Sequence, residues 1–563
     1  MKKVRVGLLI DDFEVPSWIY RMVEQINTSE YAEIVLVVKR ESNGIQKKSF
    51  LSWLKGKFTN TLYKIYVHGE NFLGKPTPDA FLSKNFKPLI QSVDLMEVKC
   101  IEKKFSDYLT NDDIAKIEKY DIDVFIRLGF RILRGKILKA AKLGVWSYHH
   151  GDNFVYRGGP AGFWEVFKRE REVGSILQIL TEDMDGGEVL YRSWSSVEYK
   201  YNRTLNNFFW KTSLFIPRKL KQLYEAGPES FLERIRSENS GLSFYSGENY
   251  KMPSNIQFLR LWIPKAWAGF RKKLLKLYSF EQWILLYSFT SSNDVSKSMY
   301  RYKRILPPTD RFWADPFVVY KDGKYYVFFE EGIWKGKTEI GHLSVMEIEK
   351  SGKISEPVII LKKPYHLSYP FIFKQDGVYY MIPESEQDKT IQLYECKNFP
   401  YEWEFKMNLM ENIHAVDTTI LYRNNKFWLF TNIREVEGAS FSEELFLFYS
   451  DNLLTQNWKP HPLNPVVSDV KSARPAGKLF FHNEKLYRPS QDCSYRYGYA
   501  MLLNEIVELD ENSYREVKQS EITPDWANDI LATHTLSFDQ GLSMIDAVIR
   551  RRKKWVSFGN KKG

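Results

Sequence analysis

The sequence predicts an α/β doubly wound, mostly parallel sheet over residues 1–230, followed by an all-β five-bladed propeller over residues 281–555. In the first part, short apolar runs alternate with helical stretches, which indicates strands connected by helices. In the second part, a unit of two strands and a polar turn recurs along the chain. Aromatic residues make up 16% of the chain, and such side chains pack well on pleated sheets.

The elements of the first part follow from the spacing of apolar residues. Continuous apolar runs predict buried strands at 4–10, 33–39, 123–130, 144–150, 175–182 and 188–194. Apolar residues at helical spacing predict helices at 16–26, 111–120, 158–172 and 203–226. The order of these elements favours a mostly parallel sheet with helices on its faces.

Residues 231–280 are interpreted as a linker that contains a basic amphipathic segment. The first half of this range is polar and rich in Gly and Ser. The second half has no acidic residue, two Trp and six cations: Arg260, Lys265, Arg271, Lys272, Lys273 and Lys276. Such a segment either lies on an anionic membrane or packs as a helix between domains, and both interpretations stay open.

The second part contains an internal repeat of about 50 to 60 residues, the length of a four-stranded propeller blade. Four segments align, and they begin at Asp315, Tyr369, Asp417 and Arg474. Their hairpin turns are predicted at Asp322-Gly323, Asp376-Gly377, Asn424-Asn425 and Asn483-Glu484. A fifth unit fits around residues 533–535, and the strand at 281–289 is expected to close the ring. Residues 556–563 form a basic tail.

Composition narrows the function classes. Cys100, Cys396 and Cys493 are far apart and form no CxxC pair, so the sequence suggests neither a disulfide framework nor a zinc site. No run of 18 apolar residues occurs, and the opening residues are too short for a secretory signal. The net charge of +11 accompanies no nucleic-acid motif. We therefore expect a cytoplasmic protein without nucleic-acid partners, in peripheral contact with the inner face of the membrane if the basic segment binds lipid.

One stretch of the first part contains candidate catalytic residues. Ser147 and His149 end a predicted strand, at the sheet edge where such folds place their ligands. His150, adjacent to them, is interpreted as a structural residue. Asp185 precedes a Gly-Gly turn that would allow it to approach His149. A histidine and a carboxylate placed together suit proton transfer from an attacking nucleophile.

These residues resemble the folate-dependent formyltransferase family. His149, Tyr156-Arg157-Gly158, Trp164 and Asp185 match the family pattern. The resemblance implies His149 and Asp185 as catalytic residues, with Ser147 beside them and no metal. It implies that the segment from Ile126 to Leu133 wraps the pterin of 10-formyltetrahydrofolate, with contacts from Ile126, Leu128, Gly129, Phe130, Ile132 and Leu133. The implied substrate-binding residues are Asp152, Asn153, Tyr156, Arg157 and Gly158.

Two departures from the family pattern weaken the implied activity. Ser147 stands where the family has an asparagine that holds the oxyanion, and residues 151–154 replace a Ser-Leu-Leu-Pro segment. Loss of an oxyanion donor typically costs about 100-fold to 1,000-fold in rate. Asn153 or His150 could supply the missing donor; otherwise the domain is a decayed formyltransferase.

The propeller offers a second set of candidates. The Ala-Asp-Pro segment at Asp315 resembles five-bladed propeller glycosidases, in which this aspartate is the general base. The propeller also resembles modules attached to glycosyltransferases of inositol-lipid synthesis, for which no hydrolysis is implied. The residues expected to face the central cavity are Asp315, Glu384, Asp417, Arg474, Arg488, Asp492 and His534.

The sequence-based prediction of function is formyl transfer from 10-formyltetrahydrofolate to an amino sugar in surface-polysaccharide synthesis. The propeller would bind the amino-sugar nucleotide or glycan acceptor. The alternatives are a carbohydrate-binding protein with a decayed formyltransferase domain, and a propeller glycoside hydrolase.

Overall fold

The computed structural model describes residues 2–41, 59–103, 105–183, 186–241, 248–291, 294–334 and 340–553. The chain forms two compact units. The first comprises residues 1–264 and 436–440, and the second comprises 265–435 and 441–563. The predicted basic tail at 556–563 lies outside the described residues.

The strands of the first unit are β1 to β14. They span Val4–Ile10, Glu14–Pro16, Ala32–Arg40, Ser83–Asn85, Asp94–Val98, Ile101–Lys103, Ser106–Tyr108, Val124–Arg127, Ile132–Leu133, Val145–His149, Arg157–Gly158, Glu172–Ile179, Val189–Ser196 and Asn249–Tyr250. Seven of them form one sheet in the order β13-β12-β10-β8-β1-β3-β5. The five strands from β10 to β5 are parallel, and β12 and β13 extend the sheet in antiparallel fashion.

Helices α1 to α8 belong to the first unit or to its junction with the second. They span Ser17–Asn27, Thr61–Leu73, Asn111–Ile117, Phe163–Lys168, Tyr201–Thr212, Phe215–Ala226, Pro228–Glu238 and Asn255–Tyr278. The sequence predicted one helix over 203–226, whereas the structure has two, α5 and α6. Pro217 lies in the first turn of α6, where its missing N–H removes no helical hydrogen bond. The interruption at residues 213–214 therefore accommodates this proline.

The predicted linker at 231–280 is largely helical. Its first residues belong to α7, where Phe231 and Ile235 are fully buried. The ring of Phe231 stacks on Trp146 at 5.9 Å between centroids, in the core of the first unit. The rest of the range contains β14 and the 24-residue helix α8. The polar residues of 228–240 thus cover the solvent side of a packed helix, a possibility that the linker interpretation overlooked.

The strands of the second unit are β15 to β35. They span Ser279–Phe289, Lys303–Ile305, Arg311–Lys321, Lys324–Ile333, Ile340–Ile348, Val358–Leu361, Ser368–Gln375, Val378–Glu384, Thr390–Asn398, Glu402–Glu411, Ala415–Arg423, Lys426–Ile433, Leu445–Ser450, Lys459–Pro460, Phe480–His482, Lys485–Asp492, Ala500–Leu509, Tyr514–Ile522, Ile530–Ala532, Leu536–Asp539 and Leu542–Arg552. Four sheets take consecutive strands: β17–β20, β21–β24, β25–β28 and β29–β32, here blades 1 to 4. The fifth, closing blade combines β15 and β16 with β33 to β35.

The closing blade confirms the predicted closure of the ring. Strand β15 pairs along its whole length with β35, from Ser279 opposite Arg552 to Phe289 opposite Leu542. These strands come from opposite ends of the unit, so their hydrogen bonds join the first and last parts of the propeller. Closure of this kind leaves short, protected edges instead of a long exposed one.

The four predicted hairpin turns are also confirmed. Both central residues of each turn have positive φ: Asp322-Gly323, Asp376-Gly377, Asn424-Asn425 and Asn483-Glu484. Two adjacent residues with positive φ make the two-residue turn whose twist matches that of the flanking strands. Asn, Asp and Gly adopt this conformation at the lowest cost, which is why the turns were readable in the sequence.

A buried ion pair in blade 4 should dominate the stability of that blade. Arg488 is 1% exposed, binds the carboxylate of Glu516 at 2.6 Å and donates to the carbonyl oxygen of Ala473. Arg488→Met would leave Glu516 buried without its cation, so we expect the unfolding free energy of the second unit to fall by about 3–5 kcal/mol in urea denaturation.

The matched control is Arg515→Met, in β32, the strand that also carries Glu516. Arg515 pairs with Glu508 at 2.7 Å, but its side chain is 59% exposed. We expect this change to lower the unfolding free energy by about 1 kcal/mol or less. Equal effects of the two substitutions would contradict the role assigned to Arg488.

Candidate functional site in the propeller

The aligned repeat brings one residue of each blade to the centre of the propeller. Asp315, Tyr369 and Asp417 begin the aligned segments, and each has a positive φ between 44° and 51°. The ladder of the inner hairpin is irregular at this point in blades 1 to 3. The backbone amide of Tyr369 donates to Asp315 at 3.2 Å, so successive blades are connected at these positions. A polar site therefore forms where the blades converge.

Arg474 supplies the central positive charge. Its Nε donates to Asp417 at 2.6 Å, and its guanidinium lies 3.4 Å from the carboxylate of Glu384. Gln491 also donates to Asp417, at 2.9 Å. The guanidinium lies 4.9 Å from the ring centroid of Tyr497, close enough for a cation–π interaction. Blades 2, 3 and 4 are thus joined through one buried cation.

His534 occupies the corresponding position in the closing blade. Its Nδ1 lies 2.6 Å from Asp546, and its ring stacks on Trp283 with centroids 4.1 Å apart. Its Nε2 lies 3.7 Å from Asp315. Burial alone would lower the pKa of His534, but the neighbouring carboxylates outweigh burial and raise it to about 9. The imidazole is therefore a cation at neutral pH.

Asp315, His534 and Asp546 each offer one ligand atom, and these atoms lie within 4.8 Å of one another. Within the described residues, these three side chains are the group that could hold a metal ion. Asp546 already accepts four hydrogen bonds, from the amides of Asp315, His534 and Thr535 and from the His534 ring. The group therefore already forms a complete hydrogen-bonded cluster.

A cavity of about 350 Å³ opens beside this cluster. Glu384, Arg474 and His534, three of the predicted residues, line it. The other side chains at the cavity include the carboxylates of Glu281 and Glu330 and the imidazole of His366, with aromatic rings from Trp283, Phe312, Trp334 and Tyr497. Burial raises the pKa of Glu384 well above its ordinary value, with a further contribution from Asp417, and Arg474 opposes this rise.

The remaining predicted propeller residues do not border the cavity. Asp315 and Asp417 are 4% and 2% exposed, and their oxygens bind neighbouring side chains and amides. Arg488 belongs to the structural pair with Glu516. Asp492 accepts from the hydroxyl and the amide of Ser494, which makes it a turn residue. These four residues thus make their contacts within the protein, whereas Glu384, Arg474 and His534 line the cavity.

Sequence reasoning missed several cavity residues. Trp283 lies in β15 and Tyr497 in the loop after β30, so neither occupies the position that the repeat alignment highlighted. Glu330 occupies the position of the first repeat that Glu384 occupies in the second, in the aromatic strand after the hairpin turn. That equivalence was the signal in the sequence that could have identified Glu330.

In the first unit, the structure places Ser147 and His149 at the end of β10. Ser147 is 2% exposed and accepts a hydrogen bond from Arg127 at 3.2 Å. His150 is partly buried among aromatic rings: it stacks on Phe209 at 4.0 Å, and burial lowers its pKa to about 3. Asp185 lies outside the described residues, so the proposed pairing of His149 with Asp185 stays a prediction.

The residues predicted to bind the formyl acceptor have mainly structural partners. Asp152 pairs with Arg192 at 2.6 Å and accepts from Trp194, and Asn153 is fully buried. Tyr156 donates to Glu170 at 2.6 Å. Arg157 and Gly158 form β11, which pairs with β14.

In the segment predicted to wrap the pterin, Arg127 is bonded to the backbone of the segment itself. Arg127 donates to the carbonyl oxygens of Phe130 and Arg131, so its guanidinium lies between this segment and Ser147. The amides of Leu128 and Gly129 donate to Leu9. Of the remaining predicted pterin contacts, Ile126, Phe130 and Leu133 are buried, and Ile132 is partly exposed.

Where the blades converge, six buried or partly buried side chains form what we call the axial cluster: Asp315, Glu384, Asp417, Arg474, His534 and Asp546. The fold and the axial cluster define a propeller protein with a charged and aromatic central cavity. A protein-family model described as glucosamine inositolphosphorylceramide transferase 1, N-terminal, matches residues 303–527. The glucosamine inositolphosphorylceramide transferase 1 of Arabidopsis thaliana is 34% identical over 210 residues, which cover 37% of this chain and 27% of that protein. The chain thus spans about a quarter of the length of the curated relatives it matches.

Solved structures resemble each part of the chain only distantly. The family 117 glycoside hydrolase Zg3597 of Zobellia galactanivorans has a TM-score of 0.32 and 12% identity, and covers 48% of this chain and 90% of its own. Glycinamide ribonucleotide transformylase 1 of Symbiobacterium toebii has a TM-score of 0.26 and 14% identity, and covers 40% and 88%. At TM-scores this low, neither similarity supports a conclusion about the function of this chain.

These comparisons correct the sequence-based function. The curated relatives are named glucosamine inositolphosphorylceramide transferase 1, so the predictions of a formyltransferase, of 10-formyltetrahydrofolate as donor and of formyl transfer to an amino sugar are wrong. The formyltransferase-like assignment of the first unit is unsupported. The resemblance of the propeller to modules of inositol-lipid glycosyltransferases is supported.

The charge state of His534 should make the stability of the second unit depend on pH. The folded state raises the pKa of His534 from 6.5 to about 9. The resulting stabilisation is complete below pH 6.5 and is lost as the pH rises through about 9, at about 1.4 kcal/mol per pH unit in between. We therefore expect the unfolding free energy in urea to fall by about 2 kcal/mol between pH 7.5 and 10.

The variant His534→Gln lacks this titration, so its unfolding free energy should change less over the same interval. Because other groups titrate above pH 8, the difference between the two proteins is the measured quantity. An identical pH dependence in both would contradict a charged His534.

Proposed function

We propose that the propeller cavity binds a sugar or polyol group of a glycan or glycolipid acceptor and that the protein takes part in glycosyl transfer. The observation that supports this most is the composition of the cavity wall. Aromatic faces stand beside carboxylates and a guanidinium, and sugars combine apolar ring faces with hydroxyl groups that donate and accept hydrogen bonds. A cavity of about 350 Å³ accommodates a small ligand of this kind.

The electrostatics of the cavity favour binding over hydrolysis. A propeller glycosidase needs a general base in contact with water above the sugar. Asp315, the residue in that sequence position, accepts from Thr535 at 2.7 Å and from the amide of Tyr369, and does not line the cavity. Asp417 is held by Arg474 and Gln491. Neither aspartate is thus presented to a ligand.

The relatives support a place in glycosyl transfer. The range that matches the glucosamine inositolphosphorylceramide transferase family, 303–527, contains nine of the twelve cavity residues, among them Glu330, Glu384 and Arg474. The relatives' name, glucosamine inositolphosphorylceramide transferase, combines an amino sugar with an inositol-bearing ceramide lipid. We therefore infer that the bound group is the sugar or inositol part of such an acceptor, and that the relevant donor is a sugar nucleotide.

Glycoside hydrolysis is the second candidate, and the raised pKa of Glu384 favours it. A carboxyl group that faces a cavity and whose pKa is raised by burial suits a general acid. This candidate requires that Asp315 lose its present hydrogen bonds when substrate enters. Release of reducing sugar from aryl arabinosides or xylosides, abolished by Asp315→Asn, would establish it in place of binding.

Titration calorimetry with inositol phosphate, glucosamine and its methyl glycosides tests the binding proposal. Trp334→Ala and Glu384→Gln remove one aromatic face and one carboxylate of the cavity wall. We expect each variant to bind the preferred ligand about tenfold more weakly, the scale of one lost stacking contact or one hydrogen bond to a charged group.

The matched controls are Phe481→Ala and Glu404→Gln, at exposed positions of blades 4 and 2. They should bind with unchanged affinity. Absence of binding by any of these ligands, or equal weakening in variants and controls, would contradict the proposal. Urea denaturation of each variant separates loss of binding from loss of folding.

A further inference from the structure

Helix α8 carries a long apolar stripe that nothing in the described chain covers. Six exposed apolar residues recur at intervals of three or four: Leu259, Ile263, Trp267, Phe270, Leu274 and Leu277. This spacing places them on one face of an α-helix. Trp267 and Leu277 are each 65% exposed. At 1.5 Å per residue, the stripe from Leu259 to Leu277 extends over about 27 Å of the helix.

The charges of α8 are all of one sign. The helix contains no acidic residue, and its exposed cations are Arg260, Arg271, Lys272, Lys273 and Lys276. At 3.6 residues per turn, Arg260 and Arg271 fall along one edge of the stripe and Lys273 falls along the other, whereas Lys272 and Lys276 lie toward the opposite face. An apolar stripe flanked on both sides by cations matches the boundary of an anionic bilayer, where acyl chains lie beneath negative headgroups.

Contacts near both ends fix the helix in place, so the exposed stripe belongs to an ordered part of the fold. Near its start, Phe258 is buried and packs against Phe163, Phe167 and Tyr66. Near its end, the amide of Lys553 donates to the carbonyl oxygen of Tyr278. Neither of these anchoring contacts involves a residue of the stripe.

We propose that α8 docks the protein on an anionic lipid surface, with the stripe from Leu259 to Leu277 in the interface and the flanking cations against headgroup phosphates. No described helix is long and apolar enough to span a bilayer. Lying in the interface is the mode of binding that a strongly basic amphipathic helix favours. This proposal is independent of the sugar-binding proposal, because the helix and the cavity share no residue.

Sedimentation of the full chain with sucrose-loaded vesicles tests the docking. We expect binding to vesicles of phosphatidylcholine and phosphatidylserine, and binding about tenfold weaker to phosphatidylcholine alone or at high salt. Ile263→Ser with Phe270→Ser removes apolar contacts, and Arg271→Gln with Lys273→Gln removes flanking charge. Each pair of substitutions should weaken binding to the mixed vesicles by about tenfold or more.

Matched control pairs change exposed residues away from α8. Tyr300→Ser with Phe481→Ser and Lys303→Gln with Lys350→Gln should leave vesicle binding unchanged. Failure to sediment with anionic vesicles, or equal effects of stripe and control variants, would overturn the proposal. So would a stable dimer, measured by light scattering, that the Ile263→Ser and Phe270→Ser pair dissociates in the absence of vesicle binding, since the stripe would then join two copies.

Discussion

The buried guanidinium of Arg474 is the interaction on which the centre of the propeller depends. Carboxylates from blades 2 and 3 converge on it, and a charged group removed from water is costly unless a partner balances it. His534 performs the same role for Asp315 and Asp546 on the other side of the axis. The two cations allow four acidic side chains to meet at the convergence of the blades.

This arrangement also explains why the cavity suits recognition. A base or nucleophile needs a free lone pair directed at the ligand, whereas Asp315 and Asp417 direct theirs into the protein. The groups left at the cavity wall are Glu384, the far side of Arg474 and a set of aromatic faces. Such a surface can distinguish a polyol by its hydroxyl pattern without changing a bond in it.

The sequence predicted those features of the fold that repeat locally. Each hairpin turn is determined by two adjacent residues, and each axial position recurs once per blade, so both were visible in the alignment of four segments. The partners of the axial residues were not visible. Asp546 and Trp283 reach His534 from β35 and β15, strands that only tertiary structure brings together. The polar composition of residues 228–240 likewise gave no indication of the packed helix α7.

The functional prediction failed because it depended on short matches at one sheet edge. The matches were a histidine, a Tyr-Arg-Gly run and a tryptophan, which reflect the local geometry of a strand and the turn that follows it. Function has to be argued from the complete site. The structure shows Arg127 bonded across the predicted donor segment and Asp152 paired with Arg192. Asp152 and Arg192 are 40 residues apart in the chain, so the local pattern could not reveal their pairing.

A crystal structure of the full chain soaked with an inositol phosphate or a glucosamine glycoside tests the account most directly. We expect density for the ligand ring in the cavity, stacked on an aromatic face and within hydrogen-bonding distance of Glu384 or Arg474. Ligand density at another surface, with the cavity vacant, would contradict the central claim that the axial cluster builds a sugar-binding site.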